Sequence, residues 1–185
     1  MRSNGFLIML FVTVFLIFTA GCAYPIRYDG PYQGRVIDAE TKQPIEGVVV
    51  LGVWYKEEPN VAGSTSTFYD AKETVTDKKG EFKIPGTGLK ILSNVGTMNF
   101  LIFKAGYMYE SGPWESLKEG ILYQDTIKWE GEKPIIPLKR LTMEEREKRH
   151  TGKADIVPDA KQKLLIRELN KEYKEMGIPL YPEVD

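Results

Sequence analysis

Three hydrophobic patterns follow one another along the chain. Phe6–Phe18 (FLIMLFVTVFLIF) is continuously apolar except for Thr13. From Tyr32 to about Leu141, short apolar runs alternate with Gly, Pro and Asp, the pattern of short β-strands joined by turns. From Thr142 charged helix formers take over. Between the first two blocks, residues 22–31 contain Pro25, Gly30 and Pro31 and are expected as an extended tether. The chain thus divides into a leader (1–21), the tether (22–31), a β region (32–141) and a helical C-terminal extension (142–185).

Within the β region, strands are expected at Gln33–Ile37, Gly47–Tyr55, Ala71–Thr76, Glu81–Ile84, Met98–Phe103, near Tyr123–Trp129, and at Pro134–Leu138. The clearest local signal is a hairpin. Val75 precedes Asp77-Lys78-Lys79-Gly80, while Phe82 and Ile84 follow on alternate positions, and Gly80 can take the left-handed conformation the turn needs. Lys56–Phe68 (KEEPNVAGSTSTF) reads as a long connection containing a Ser/Thr-rich loop at Gly63–Phe68. About seven short strands of this kind predict a β-sandwich.

The tail predicts two helices. Thr142 with Glu145 three residues on forms a capping-box pattern for Met143–His150. Asp159–Met176 follows Pro158 and is stopped by Gly177 and Pro179. Its apolar stripe is Leu165, Leu169, Tyr173 and Met176, flanked by Ile166. Such a stripe needs a partner surface. The strand Val48–Tyr55 is apolar on both alternate sets, as is Met98–Phe103, whereas a sandwich covers only one face. The long helix is therefore predicted to lie over the other face, where four such side chains would contribute roughly 6–10 kcal/mol before entropy.

Composition narrows the chemistry. The chain has 185 residues, a formal charge of −1, one cysteine and one histidine. Near-neutral charge offers no footprint for nucleic acid. One Cys excludes an intramolecular disulfide and a cysteine-rich zinc site, and one His leaves little for acid–base work near neutral pH.

The thirteen residues Phe6–Phe18 would rise about 20 Å as a helix, short of the roughly 30 Å hydrocarbon core, and suit a secretory apolar region better than a permanent span. Thr19, Ala20, Gly21 and Cys22 follow. This resembles a bacterial lipoprotein signal, which ends in small residues and an obligatory cysteine; Thr19 departs from the usual aliphatic residue. The resemblance implies cleavage between Gly21 and Cys22, with diacylglyceryl and fatty acyl (palmitate-type) chains on Cys22. Two or three chains make a stable membrane anchor where one does not. Ala23, not Asp, after the cysteine implies the outer membrane, with the chain facing the periplasm.

A second resemblance lies in Gly34, Val36, Asp38, Thr41, Pro44, Ile45 and Gly47, then Thr76, Asp77, Gly80 and Phe82, then Ala105-Gly106-Tyr107. In order and spacing these look like carboxypeptidase regulatory-like domains, which implies a transthyretin-like Greek-key sandwich of about seven strands. The match covers about residues 33–107. Enzymes on that sandwich are disfavoured by counting: hydroxyisourate hydrolases need several His, and intradiol dioxygenases bind iron through two His.

The remaining candidates are few. His150 sits in a run of solvated charges. Asp70, Glu73, Asp77 and Glu81 flank one hairpin without calcium-loop spacing. Trp114, between Gly112-Pro113 and Ser116, is the aromatic best placed for an exposed binding role. No catalytic residue, metal or cofactor is expected. The functional expectation is a lipid-anchored envelope protein acting as a non-catalytic structural or protein-binding module, within an envelope complex. The alternative is a glycan- or peptide-binding module on the same sandwich.

Overall fold

The computed structural model describes residues 26–61, 63–117, 127–149 and 151–184. Among them the chain is mainly β. Its strands are β1 (Ile26–Asp29), β2 (Tyr32–Asp38), β3 (Val49–Asn60), β4 (Gly63–Val75), β5 (Glu81–Ile84), β6 (Gly88–Ile91), β7 (Asn99–Phe103), β8 (Glu110–Pro113), β9 (Lys128–Glu130) and β10 (Lys133–Leu138). Helices α1 (Met143–Lys148) and α2 (Lys163–Met176) follow. The strands form two four-stranded sheets, β5-β2-β10-β9 and β4-β3-β7-β8, and a separate ribbon of β1 and β6. All pairings are antiparallel except β10 with β2.

Side-chain alternation decides what lies between the layers. Val50 and Trp54 of β3, with Phe100 and Ile102 of β7, point toward Val36, Phe82, Ile84, Ile136 and Leu138 of the other sheet. The opposite set (Val49, Leu51, Val53 and Phe103) packs instead with Val157, Leu165 and Leu169, and half-buried Tyr173 joins them. The α2 helix therefore covers the second apolar face of β3 and β7, as its stripe predicts. Met176 is not part of that cluster.

Carboxylates fix the helix in place. Glu73 of β4 accepts from the backbone N–H groups of Leu164 (2.9 Å) and Leu165 (2.8 Å), supplying the cap that Gln162 does not. Glu168 accepts from Ala105 N–H (3.2 Å) and pairs with Lys104. Glu172, 1% exposed, takes Arg146 through two bonds of 2.8 Å, Arg149 at 2.6 Å and Gly106 N–H at 2.6 Å. The capping box of α1 forms as expected, and Gly177 ends α2 at φ 68°.

Several boundaries differ from expectation. Lys56–Phe68 is not an open connection: β3 and β4 continue through it as a long hairpin beyond a bulge at Trp54/Tyr55. Glu57 holds the arm together by accepting from Ser64 (2.7 Å) and Ser66 (2.5 Å). In the segment expected as a tether (22–31), Ile26–Asp29 forms β1. The long helix breaks at Gln162, whose buried side chain bonds Ala154 and Val157 rather than continuing the turn. The ribbon, with β8, takes the strand number above the seven expected.

Leu169→Asp should remove the central contact of α2 and lower the melting temperature by roughly 10 °C. Glu172→Gln should cost about 3–5 kcal/mol in urea unfolding, because Arg146 and Arg149 are left buried without a full counter-charge. An unchanged melting temperature in Leu169→Asp would mean that the helix and sheets unfold separately.

Candidate functional site

Gly21, Cys22, the Phe6–Phe18 run and His150 lie outside the described residues. Trp114 is described, and its position corrects the expectation of an exposed loop aromatic. It opens a short 3-10 turn and is 8% exposed. Its indole packs edge-on against Tyr32 (5.2 Å between ring centres), Phe82 (6.3 Å) and Phe100 (6.2 Å). Flanking Gly and Pro suggested a loop; the aromatic neighbours that bury the ring come from three distant strands. Only its rim, with Trp129, Gly131 and Glu132, borders a depression of about 460 Å³.

The four acidic residues around the hairpin do not converge. Asp70 pairs with Lys161, Glu73 caps α2, Asp77 accepts from the N–H groups of Lys79 and Glu81, and Glu81 pairs with Lys133. Among the described residues no group of three acidic, His or Cys side chains could hold a metal ion.

The motif residues singled out in the sequence build turns. Asp38 accepts from the N–H groups of Glu40 and Thr41 and from the Tyr107 hydroxyl (3.1 Å), which in turn accepts from Arg140. Thr76 donates to the Ile45 carbonyl and accepts from Val48 N–H. Gly80 (φ 73°) lies so close to the Val36 carbonyl that a Cβ would meet its oxygen at 2.3 Å.

The feature least like ordinary surface is the β1–β6 ribbon. Ile26 lies opposite Ile91 and Tyr28 opposite Leu89, so these four side chains share one face. They are 64%, 61%, 72% and 60% exposed. Leu92, just beyond β6, is also exposed and adopts φ 47°. The ribbon's other face carries Arg27, Asp29 and Lys90 and points into the protein. Asp29, 2% exposed, accepts from the Tyr32 hydroxyl, Thr87 N–H (2.8 Å) and Thr87 hydroxyl (2.6 Å). Burial pushes its carboxyl up, but those hydrogen bonds outweigh burial and leave it below the usual range. Arg27 donates to the Val95 and Gly96 carbonyls, and the Lys90 ammonium sits 4.7 Å from the Tyr69 ring centre. Gly86 touches the Asp29 backbone so closely that no Cβ fits between them. The usual arrangement is inverted: polar side chains face inward, apolar ones outward.

Sequence reading missed this surface. The signal was the period-two pattern of Ile26-Arg27-Tyr28 and Leu89-Lys90-Ile91, hidden by neighbouring prolines and glycines. No family model, no curated protein and no solved structure matches the chain. Among the described residues no helix is long and apolar enough to cross a membrane. The geometry offers an apolar contact surface held rigidly by buried polar bonds, which suits docking.

One buried carboxyl stands apart. Glu110 is 5% exposed, and burial pushes it up to about 7. The folded state therefore holds this proton more tightly than the unfolded chain. Glu110's contribution to stability is full below about pH 4.5 and is lost as pH rises to about 7, on the order of 2–3 kcal/mol. Glu110→Gln should flatten that slope and raise stability at pH 8, measured by urea unfolding at pH 5 and pH 8. An unaltered slope would show that the carboxyl is solvated.

Proposed function

We propose that this chain is a bacterial envelope lipoprotein, anchored through acylated Cys22 and acting as a non-catalytic structural or protein-binding module. The observation that carries the reading is positional. The chain's only cysteine directly follows Phe6–Phe18 and the small residues Thr19-Ala20-Gly21, where a lipoprotein signal requires it. Ile26, four residues later, begins a strand fastened to the body through Asp29. A pull on the anchor is thus transmitted to the folded domain over a few residues.

The sandwich is read as a transthyretin-like Greek key of the carboxypeptidase regulatory-like kind. This is supported by Asp38, Thr76, Gly80 and Tyr107, whose turn-building bonds suit the positions at which they match that pattern. Ala23 after the cysteine favours outer-membrane sorting, facing the periplasm, with an envelope complex as the setting. The glycan- or peptide-binding alternative leaned on an exposed indole at Trp114, and with that ring buried it loses the side chain that would stack on a ligand.

Cys22→Ser should abolish metabolic labelling with palmitate and leave unprocessed precursor in the membrane fraction. Mass spectrometry of the wild-type N-terminus should find the mature chain starting at Cys22 with acyl chains. A bare thiol there would refute the anchor.

A further inference from the structure

We infer that the outward face of the β1–β6 ribbon (Ile26, Tyr28, Leu89 and Ile91, with Leu92 at its end) docks on the lipid bilayer, seating the domain against the leaflet that holds its anchor. The inference rests on membrane attachment through the N-terminal segment and adds the orientation of the folded domain. The occupant follows from where the chain leads. Cys22 is four residues from Ile26, so even a fully extended connection places the ribbon within about 14 Å of the anchored residue. Ile26 pairs with Ile91, and Leu92 follows directly, so the apolar side chains crowd the ribbon end at which the anchor segment enters.

The chemistry of the face suits a bilayer interface. Three branched aliphatic residues sit around Tyr28, whose ring presents an apolar body and whose hydroxyl can remain among headgroups. The charged side chains of the ribbon are turned away and occupied: Asp29 by Thr87 and Tyr32, Arg27 by the Val95 and Gly96 carbonyls, Lys90 by the Tyr69 ring. No charge on the ribbon therefore has to be desolvated when its outer face meets acyl chains. Gly30 and Gly86 bring the two strands of the ribbon into backbone contact at its far end, where no Cβ would fit. A contiguous exposed apolar patch of this kind marks an interaction surface rather than ordinary solvent-facing surface.

The test is site-specific photo-crosslinking of the full chain in intact bacterial envelopes. A benzophenone amino acid replaces Tyr28, Leu89 or, as control, exposed Lys78, which lies at the opposite end of β2 from the ribbon. Adducts are identified by mass. Phospholipid adducts at positions 28 and 89, in roughly tenfold excess over position 78, are expected of side chains lying about 5–10 Å into the interface. Crosslinking of 28 and 89 to a second copy or to another protein, without phospholipid adducts, would overturn the inference, as would equal adduct yields at all three positions. The same spectra report the mass at Cys22. An unacylated Cys22 refutes the lipoprotein reading alone, because an uncleaved Phe6–Phe18 segment would still hold the ribbon at the bilayer and the adducts would still decide the docking.

Discussion

A sheet that is apolar on both faces must be covered twice, and the rest of this molecule follows from that constraint. In β3, Val50 and Trp54 face one way while Val49, Leu51 and Val53 face the other; β7 repeats the division with Phe100 and Ile102 against Phe103. A second sheet can satisfy one side only. The other side exposes enough branched apolar surface to make an uncovered sheet insoluble. The C-terminal extension is thus part of the domain's hydrophobic core, although it is rich in charged residues.

Apolar contact alone would let a helix slide on a sheet; the carboxylates define its place. Glu73 reaches from β4 to the open N–H groups at the start of α2, while Glu168 and Glu172 reach from α2 to the N–H groups of the Ala105-Gly106 turn. The helix is thus held by bonds of opposite direction: its own first N–H groups donate to the sheet, and farther along the loop's N–H groups donate to the helix. A buried carboxylate is tolerable only when its lone pairs are filled, which explains why Glu172 gathers both Arg146 and Arg149. These arginines come from α1 and the residue that ends it, so the short helix is held by the same charge.

Much of this was legible because it is local or periodic. The Asp77–Gly80 turn, the Thr142 capping box, the Gly177 stop and the doubled apolar pattern of β3 are each written within a few residues. What escaped depended on distant partners. Trp114 is buried by Tyr32, Phe82 and Phe100, none near it in sequence. Gln162 interrupts a helical pattern because its amide is needed by Ala154 and Val157. The Ser/Thr-rich stretch after Gly63 looked like loop because polar residues dominate it, yet its hydroxyls bond across the hairpin to Glu57. The candidate surface was least legible, since its alternation is only four residues long in each strand and Pro and Gly surround it.

The inverted ribbon ties these observations to the proposed anchor. A strand that turns polar side chains inward loses hydrophobic burial and must replace it with hydrogen bonds. Asp29 does so with three, from Tyr32 and Thr87, and Tyr32 also accepts from Met98 N–H. Tyr32 also packs against Trp114 and Trp54, so the bond to Asp29 connects the ribbon directly to the main core. The ribbon's hold on the body thus does not depend on its outer face, and that face can meet a hydrophobic phase without loosening the fold. In a domain tethered at its N-terminus, as proposed, this separation would let one short segment be both the mechanical link to the membrane and the contact that orients the domain upon it.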